Sequence, residues 1–296
     1  MRHNFFRPLL SLLALLALTP SWAQIFYKVE GNGLKSPSYL FGTHHMAPAG
    51  FSESIAGLKE AKDQTEAVVG EIDMTGNQMQ MQMDMMPYMQ APADSTLSKL
   101  LSPEEFTDLN EKFKPLAPMP GMDLTMLDAM RPMVPSTMVT LTLVQQSMPG
   151  FDPTRQLDAE FQAEFKKEGK KIIPLESVKQ QAQLLYSFTP IAKQLEALRE
   201  TLNNPDETAK MAKRLNDAYI AQDLDAMMEL SRQEESDPAF MNALLDIRNH
   251  DWMTRLPGIM AQQPSLVVVG ALHLAGEQGL VQLLRNEGFT VTPIGK

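Results

Sequence analysis

Two short stretches carry the residues best suited to chemistry in this chain. Ser38 to Pro48 reads SYLFGTHHMAP, and Ser265 to Gly276 reads SLVVVGALHLAG. Each places a histidine three residues after a glycine: His45 after Gly42, and His273 after Gly270. Histidine is scarce, five in all, and three of them fall in these two turns. An imidazole can take up a proton near neutral pH or bind a metal through its neutral ring. A carboxylate follows a third apolar run, where Glu71 and Asp73 come after Val68 and Val69. Two imidazoles and one carboxylate on a common edge can form an open site for a divalent metal. The alternative is a pair of unrelated units with core histidines, and Glu71 as a solvated acid.

These residues need strands to carry them. Tyr39 to Phe41 and Leu266 to Val269 are the aromatic and branched types that suit a buried strand. Gly42 is expected to turn the backbone sharply as its strand ends. That delivers the imidazoles beyond the carboxyl end, where open α/β sheets hold their ligands. A helix follows each turn: Ser52 to Lys62 with Ile55 and Leu58 at helical spacing, and Gly279 to Asn286 with Leu280, Leu283 and Leu284 on one face. Gly288 stops the second helix, and strands close both units at Ala67 to Ile72 and Phe289 to Ile294. Ile25 to Gly31 reads as a first strand. The expected fold class is α/β: a mixed or mostly parallel sheet from two related β-(Gly-x-x-His)-α-β units, with a large helical insertion between them at about 92–240.

The insertion supplies further candidates. Lys171 to Glu176 reads as a strand ending in an acid, and Pro174 restricts it to a short or terminal segment. Leu157, Phe161 and Phe165 make one apolar stripe that Gly169 ends. A last helix, Pro238 to Met260, carries Arg248, Asn249 and Trp252; Arg248 is either a surface cation or an anion holder. Met74 to Met89 is unusual, with seven methionines in sixteen residues interleaved with glutamine. Its spacing fits neither a clean helix nor a clean strand. The reading is a mobile flap or groove wall, with a Cu(I) thioether cluster as the alternative.

The chain begins as an export signal does. Arg2 and Arg7 form a positive head, Leu9 to Leu18 an apolar stretch too short to span a bilayer, and Ser21-Trp22-Ala23 a cleavage site. The expectation is a signal peptide over 1–23, a single domain over 24–296, and a periplasmic or secreted product with no stable membrane anchor. The chain has no cysteine, which removes disulfides, thiolate catalysis and Cys-ligated zinc. With Arg2 and Arg7 gone, 24 of the 26 basic residues face 36 acidic ones, so nucleic acid is not an expected partner.

Taken together, the pieces YLFGTHH, VVGEIDM, STLSKLLSPEE, Asp158 ahead of GKKIIPLESVKQQ, Arg248-Asn249 and VVVGALHLAGEQGL resemble the TraB/GumN family. That family is related to the Tiki metalloproteases and more distantly to erythromycin-esterase and ChaN-like proteins. The resemblance covers nearly the whole chain after the leader. It implies that the paired Gly-x-x-His motifs fall on Gly42/His45 and Gly270/His273, and the motif glutamate on Glu71. It also places Glu176 in the Leu-Glu-Ser segment and Arg248 and Asn249 in the Arg-Asn pair. His44 stands where such motifs usually carry an apolar residue.

What the resemblance implies about activity differs by branch. Tiki-like members suggest a divalent-metal peptidase with manganese or cobalt favoured and zinc allowed. Esterase-like relatives use histidine and glutamate for acid–base hydrolysis, and ChaN-like relatives bind haem. The expected function is a metal-dependent hydrolase of a peptide or small ester-type substrate. His45, Glu71 and His273 would hold the metal, Glu176 would act as base or orienter, and Arg248 with Asn249 would complete the catalytic group. The alternative is a haem- or metal-binding periplasmic protein without catalysis.

Overall fold

The computed structural model describes residues 24–234 and 237–295. The expected leader, 1–23, lies outside the described residues. Its centre is a sheet of six strands: β1 (Phe26–Gly31), β2 (Ser38–Thr43), β3 (Ala67–Gly70), β4 (Lys171–Pro174), β5 (Ser265–Gly270) and β6 (Phe289–Pro293), in the order β4-β3-β5-β2-β1-β6. β4, β3, β5 and β2 run parallel, whereas β1 is antiparallel to both β2 and β6.

The sequence pattern of each strand follows from what covers it. β2, β3 and β5 are buried almost throughout, as apolar runs sandwiched between helices must be. On the antiparallel side, β6 alternates buried and exposed residues, the mark of a sheet with one wet face. Pro174 has no N–H to donate, and β4 lies at the sheet edge, where none is required. The helix Leu157–Lys167 lays Leu157, Phe161 and Phe165 on the sheet, with the Phe41 and Phe161 rings 5.2 Å apart. A second apolar cluster, with Leu97, Phe113, Val139 and Leu198 at its centre, lies wholly within the helical insertion.

Four local expectations are corrected. Gly42 does not turn the chain; it lies inside β2, and its missing Cβ serves packing instead. A Cβ there would stand 2.8 Å from the Ala271 Cα, so the two motif segments touch through backbone. The helix after the first motif is a 3₁₀ turn, Phe51–Ser54, followed by Leu58–Gln64. The helix expected over Pro238 to Met260 is broken into Pro238–Met241, a π-helical turn Asn242–Asp246, Ile247–Met253 and Leu256–Gln262. The methionine stretch is a helix, Gln78–Met89, whose N-cap Asn77 accepts from the Met79 and Gln80 N–H groups. It packs along the helix Val178–Ser187. Among the described residues no helix is long and apolar enough to cross a membrane.

Candidate functional site

The carboxyl ends of β2, β3 and β5 meet because the strands are parallel neighbours: Thr43 pairs with Gly270, and Gly70 with Val268. Glu71 leaves β3 beside the end of β5, and its Oε1 accepts the Gly270 N–H at 2.8 Å. A Cβ on Gly270 would press to 3.3 Å from that same oxygen. Gln162, on the helix Leu157–Lys167, pins the segment that follows. Its amide donates to the Ile72 carbonyl at 2.9 Å and its Oε1 accepts from the Met74 N–H at 2.8 Å. The β3–β4 ladder continues past the strand ends, with the Glu176 N–H on the Glu71 carbonyl at 2.9 Å. The two acids are thereby set side by side.

Arg248 stands between them. Its Nη2 donates to Glu71 Oε2 at 2.6 Å and to Glu176 Oε1 at 2.5 Å, while Nε reaches Glu176 Oε2 at 3.1 Å. Nη1 donates to the Leu244 carbonyl at 3.0 Å, in the π-helical turn, and lies 2.9 Å from His273 Nε2. Gln181 adds an amide to both carboxylates, at 2.8 and 3.2 Å. The guanidinium lies over the Trp252 ring at 4.7 Å, and the same ring packs on His273 at 4.4 Å.

The tautomer of His273 follows from its partners. Arginine can only donate, so Nε2 accepts from Arg248 and the proton sits on Nδ1. Nδ1 then donates to Asn249 Oδ1 at 2.7 Å. The Asn249 orientation agrees, because its Nδ2 donates to the His273 and Gln278 carbonyls at 3.2 and 2.8 Å. Burial makes a charged ring costly, and beside Arg248 the His273 pKa is held down at about 3. Burial also disfavours the Glu71 anion, but His273 when protonated, the Arg248 guanidinium and the Gly270 N–H outweigh it and hold the carboxyl at about 2. With His273 neutral, the permanent charge of Arg248 is the contribution that keeps Glu71 ionised. Glu176 moves up, because burial outweighs its ion pair with Arg248.

His45 lines the same pocket. This cavity, about 340 Å³, is lined by His45, Glu71, Arg248 and His273 together with apolar residues such as Leu185, Met227 and Leu244. The His45 side chain is 70% exposed, and its Nδ1 is 3.9 Å from Asp158 Oδ2. Asp158 is buried at the first turn of its helix, where Oδ1 accepts from the Thr43 hydroxyl at 2.9 Å and Oδ2 has no hydrogen-bond partner. Burial pushes its pKa up, against the pull of His45. Adjacent His44 turns inward toward Tyr219, with ring centroids 5.4 Å apart, and burial lowers its pKa to about 4.

Set beside known families, residues 25–293 match the TraB/PrgY/gumN family. The chain belongs to that family. No curated protein and no solved structure gives a significant match.

Of the candidates read from this TraB/PrgY/gumN sequence, Glu71, Glu176, Arg248, Asn249 and His273 form one hydrogen-bonded cluster. His45 shares their pocket, but its nearest charged partner is Asp158. The expected metal triad does not fit this arrangement. His273 has one ring nitrogen accepting from Arg248 and the other donating to Asn249, which leaves no lone pair for a cation. Among the described residues no group of three or more His, Asp or Glu side chains is disposed to hold a metal ion. Arg248 is the cation on which the two carboxylates converge. Sequence reasoning did not single out Asp158 or Gln181 as site residues. Asp158 reads locally as an ordinary first-turn acid, and only its place among the motif pieces pointed further.

Proposed function

We propose that this chain is an exported acyl hydrolase, peptidase- or esterase-like, in which His45 is the general base and Asp158 orients it. The observation that carries the reading is the accessible His45 ring above a buried carboxylate oxygen that lacks any other partner. With Nδ1–H toward Asp158, Nε2 is free to face the pocket and take a proton from water. The resulting hydroxide attacks the substrate carbonyl carbon, and His45 returns the proton to the leaving oxygen or nitrogen. The 3.9 Å separation from Asp158 is of the kind that tightens to a hydrogen bond when substrate closes a site.

Glu71, Arg248 and His273 line the same pocket, with Glu176 tied in behind them through Arg248. All the Arg248 N–H groups are committed there, so its role is to hold the cluster together, and it has no N–H left for a developing oxyanion. The apolar lining and the excess of carboxylate over guanidinium suit an uncharged acyl group better than an anion. A metal-dependent version would require Arg248 to release His273 Nε2 and His45 to swing toward Glu71.

Hydrolysis of a panel of neutral esters and peptides tests the reading. His45→Ala and Asp158→Asn are expected to lose about 10²–10⁴-fold in kcat while keeping the wild-type circular dichroism. A His45→Ala variant that turns over at the wild-type rate removes His45 as the base. Export predicts an intact mass beginning at Gln24, and a retained leader in the membrane fraction would contradict it.

A further inference from the structure

We infer that Met79, Met83 and Met86 form a thioether site for a soft monovalent cation, Cu(I) or Ag(I), on the outer face of the helix Gln78–Met89. The helix sorts its methionines by angle. At about 100° per residue, positions 79, 83 and 86 fall within about 60° of arc, positions 81 and 85 fall on the opposite side, and position 89 lies on the flank between them. Burial follows the same division. Met81, Met85 and Met89 are half-buried, on the inner side of the helix. Met79, Met83 and Met86 are 69%, 56% and 42% exposed.

The helix packs along Val178–Ser187, and the half-burial of Met81, Met85 and Met89 fits them to that packing. The outer ones are more exposed, and they are the only large apolar side chains on that face. The other exposed residues of the helix are Gln78, Gln80, Gln82 and Pro87. A face built only to be apolar would accept leucine or isoleucine; repeated sulfur at i, i+4 and i+7 selects for the atom. Cα positions about 6 and 10.5 Å apart along the axis lie within reach of one ion through the three flexible torsions of methionine. Thioethers are neutral and polarisable, so three of them favour a soft +1 ion over zinc or magnesium. The one acid on this helix, Asp84, is already engaged by Gln80 at 2.9 Å and Lys179 at 3.4 Å. With no cysteine in the chain, methionine is the softest donor it has.

The test is anaerobic titration of the full chain with Cu(I) against a chromogenic chelator, repeated with Ag(I). One ion per chain is expected. The triple variant Met79→Leu, Met83→Leu, Met86→Leu keeps the apolar bulk and should weaken binding by at least about tenfold. The inner triple Met81→Leu, Met85→Leu, Met89→Leu should leave it unchanged. Should the inner variant fail to fold, methyl-¹³C methionine spectra of the wild type give the same answer. Only the 79, 83 and 86 methyl signals should move on adding Ag(I). No uptake, uptake retained by the outer triple, or shifts spread over most of the 22 methionines would overturn the site.

Discussion

Arg248 has five N–H donors, and each has an acceptor: three go to Glu71 and Glu176, one to the Leu244 carbonyl and one to His273. An arrangement this complete depends on the guanidinium fork, which lysine lacks. Replacing Arg248 by methionine keeps much of the volume but leaves two carboxylates buried without a counter-charge. Urea melts should show a loss of about 3–5 kcal/mol, and an unchanged midpoint would mean that the acids are satisfied by something else. The same cluster sets the response to acid. His273 is lowered from 6.5 to about 3 in the folded chain, so the unfolded chain takes up the proton first. Stability is therefore complete above about 6.5 and falls as the pH drops towards 3, by about 2 kcal/mol at pH 5 from this residue alone. His44, lowered to about 4, adds to the fall with the same sign. Glu71 contributes later, because its stabilisation is present above 4.5 and is lost as pH falls towards 2. Melting temperatures from pH 7.5 to 4.5 should decline in the wild type and decline less in His273→Gln; a flat wild-type profile would contradict the buried neutral ring. Residue types and spacing pointed to His45, Glu71 and His273, but not to the direction of their lone pairs. Arg248 stands 25 residues before His273, but spacing does not give the direction of its N–H groups, which decide what His273 can accept.

At the scale of elements, the two motif segments are joined by glycine contact more than by glycine flexibility. Gly42 lets β2 lie against the 3₁₀ turn that carries His273, with the Ala271 Cα where a side chain would be. Gly42→Ala must push backbone against backbone. It should cost about 1–3 kcal/mol in thermal or chemical melts, and full stability in that variant would remove the contact as a constraint. The strands were legible because buried parallel strands are written as short apolar runs bounded by glycine. The methionine helix was not, for a physical reason. Methionine on both faces erases the apolar–polar alternation on which periodicity depends, and Pro87 interrupts its last turn. In the structure Asn77 caps its first turn, but a lone asparagine ahead of a run without period does not announce a helix. The π-helical turn before Arg248 was equally invisible, since an extra residue in one turn leaves no mark in composition.

For the molecule as a whole, a mostly parallel sheet brings three strand ends to one edge. The insertion returns to that edge twice, through β4 with Glu176 and through the helix bearing Asp158. The pocket is lined both by members of a closed ion cluster and by an accessible histidine backed by a buried acid. In the proposed mechanism this pair performs hydrolysis while Arg248 supplies the fixed cation of the site. The most direct measurement is the hydrolysis rate of the purified chain on its best neutral ester or peptide after exhaustive chelation, with and without added manganese, cobalt or zinc. Full turnover is expected in the chelated protein, with no gain from any metal and loss of that turnover in His45→Ala. Turnover that vanishes on chelation and returns with one of those ions would contradict that mechanism.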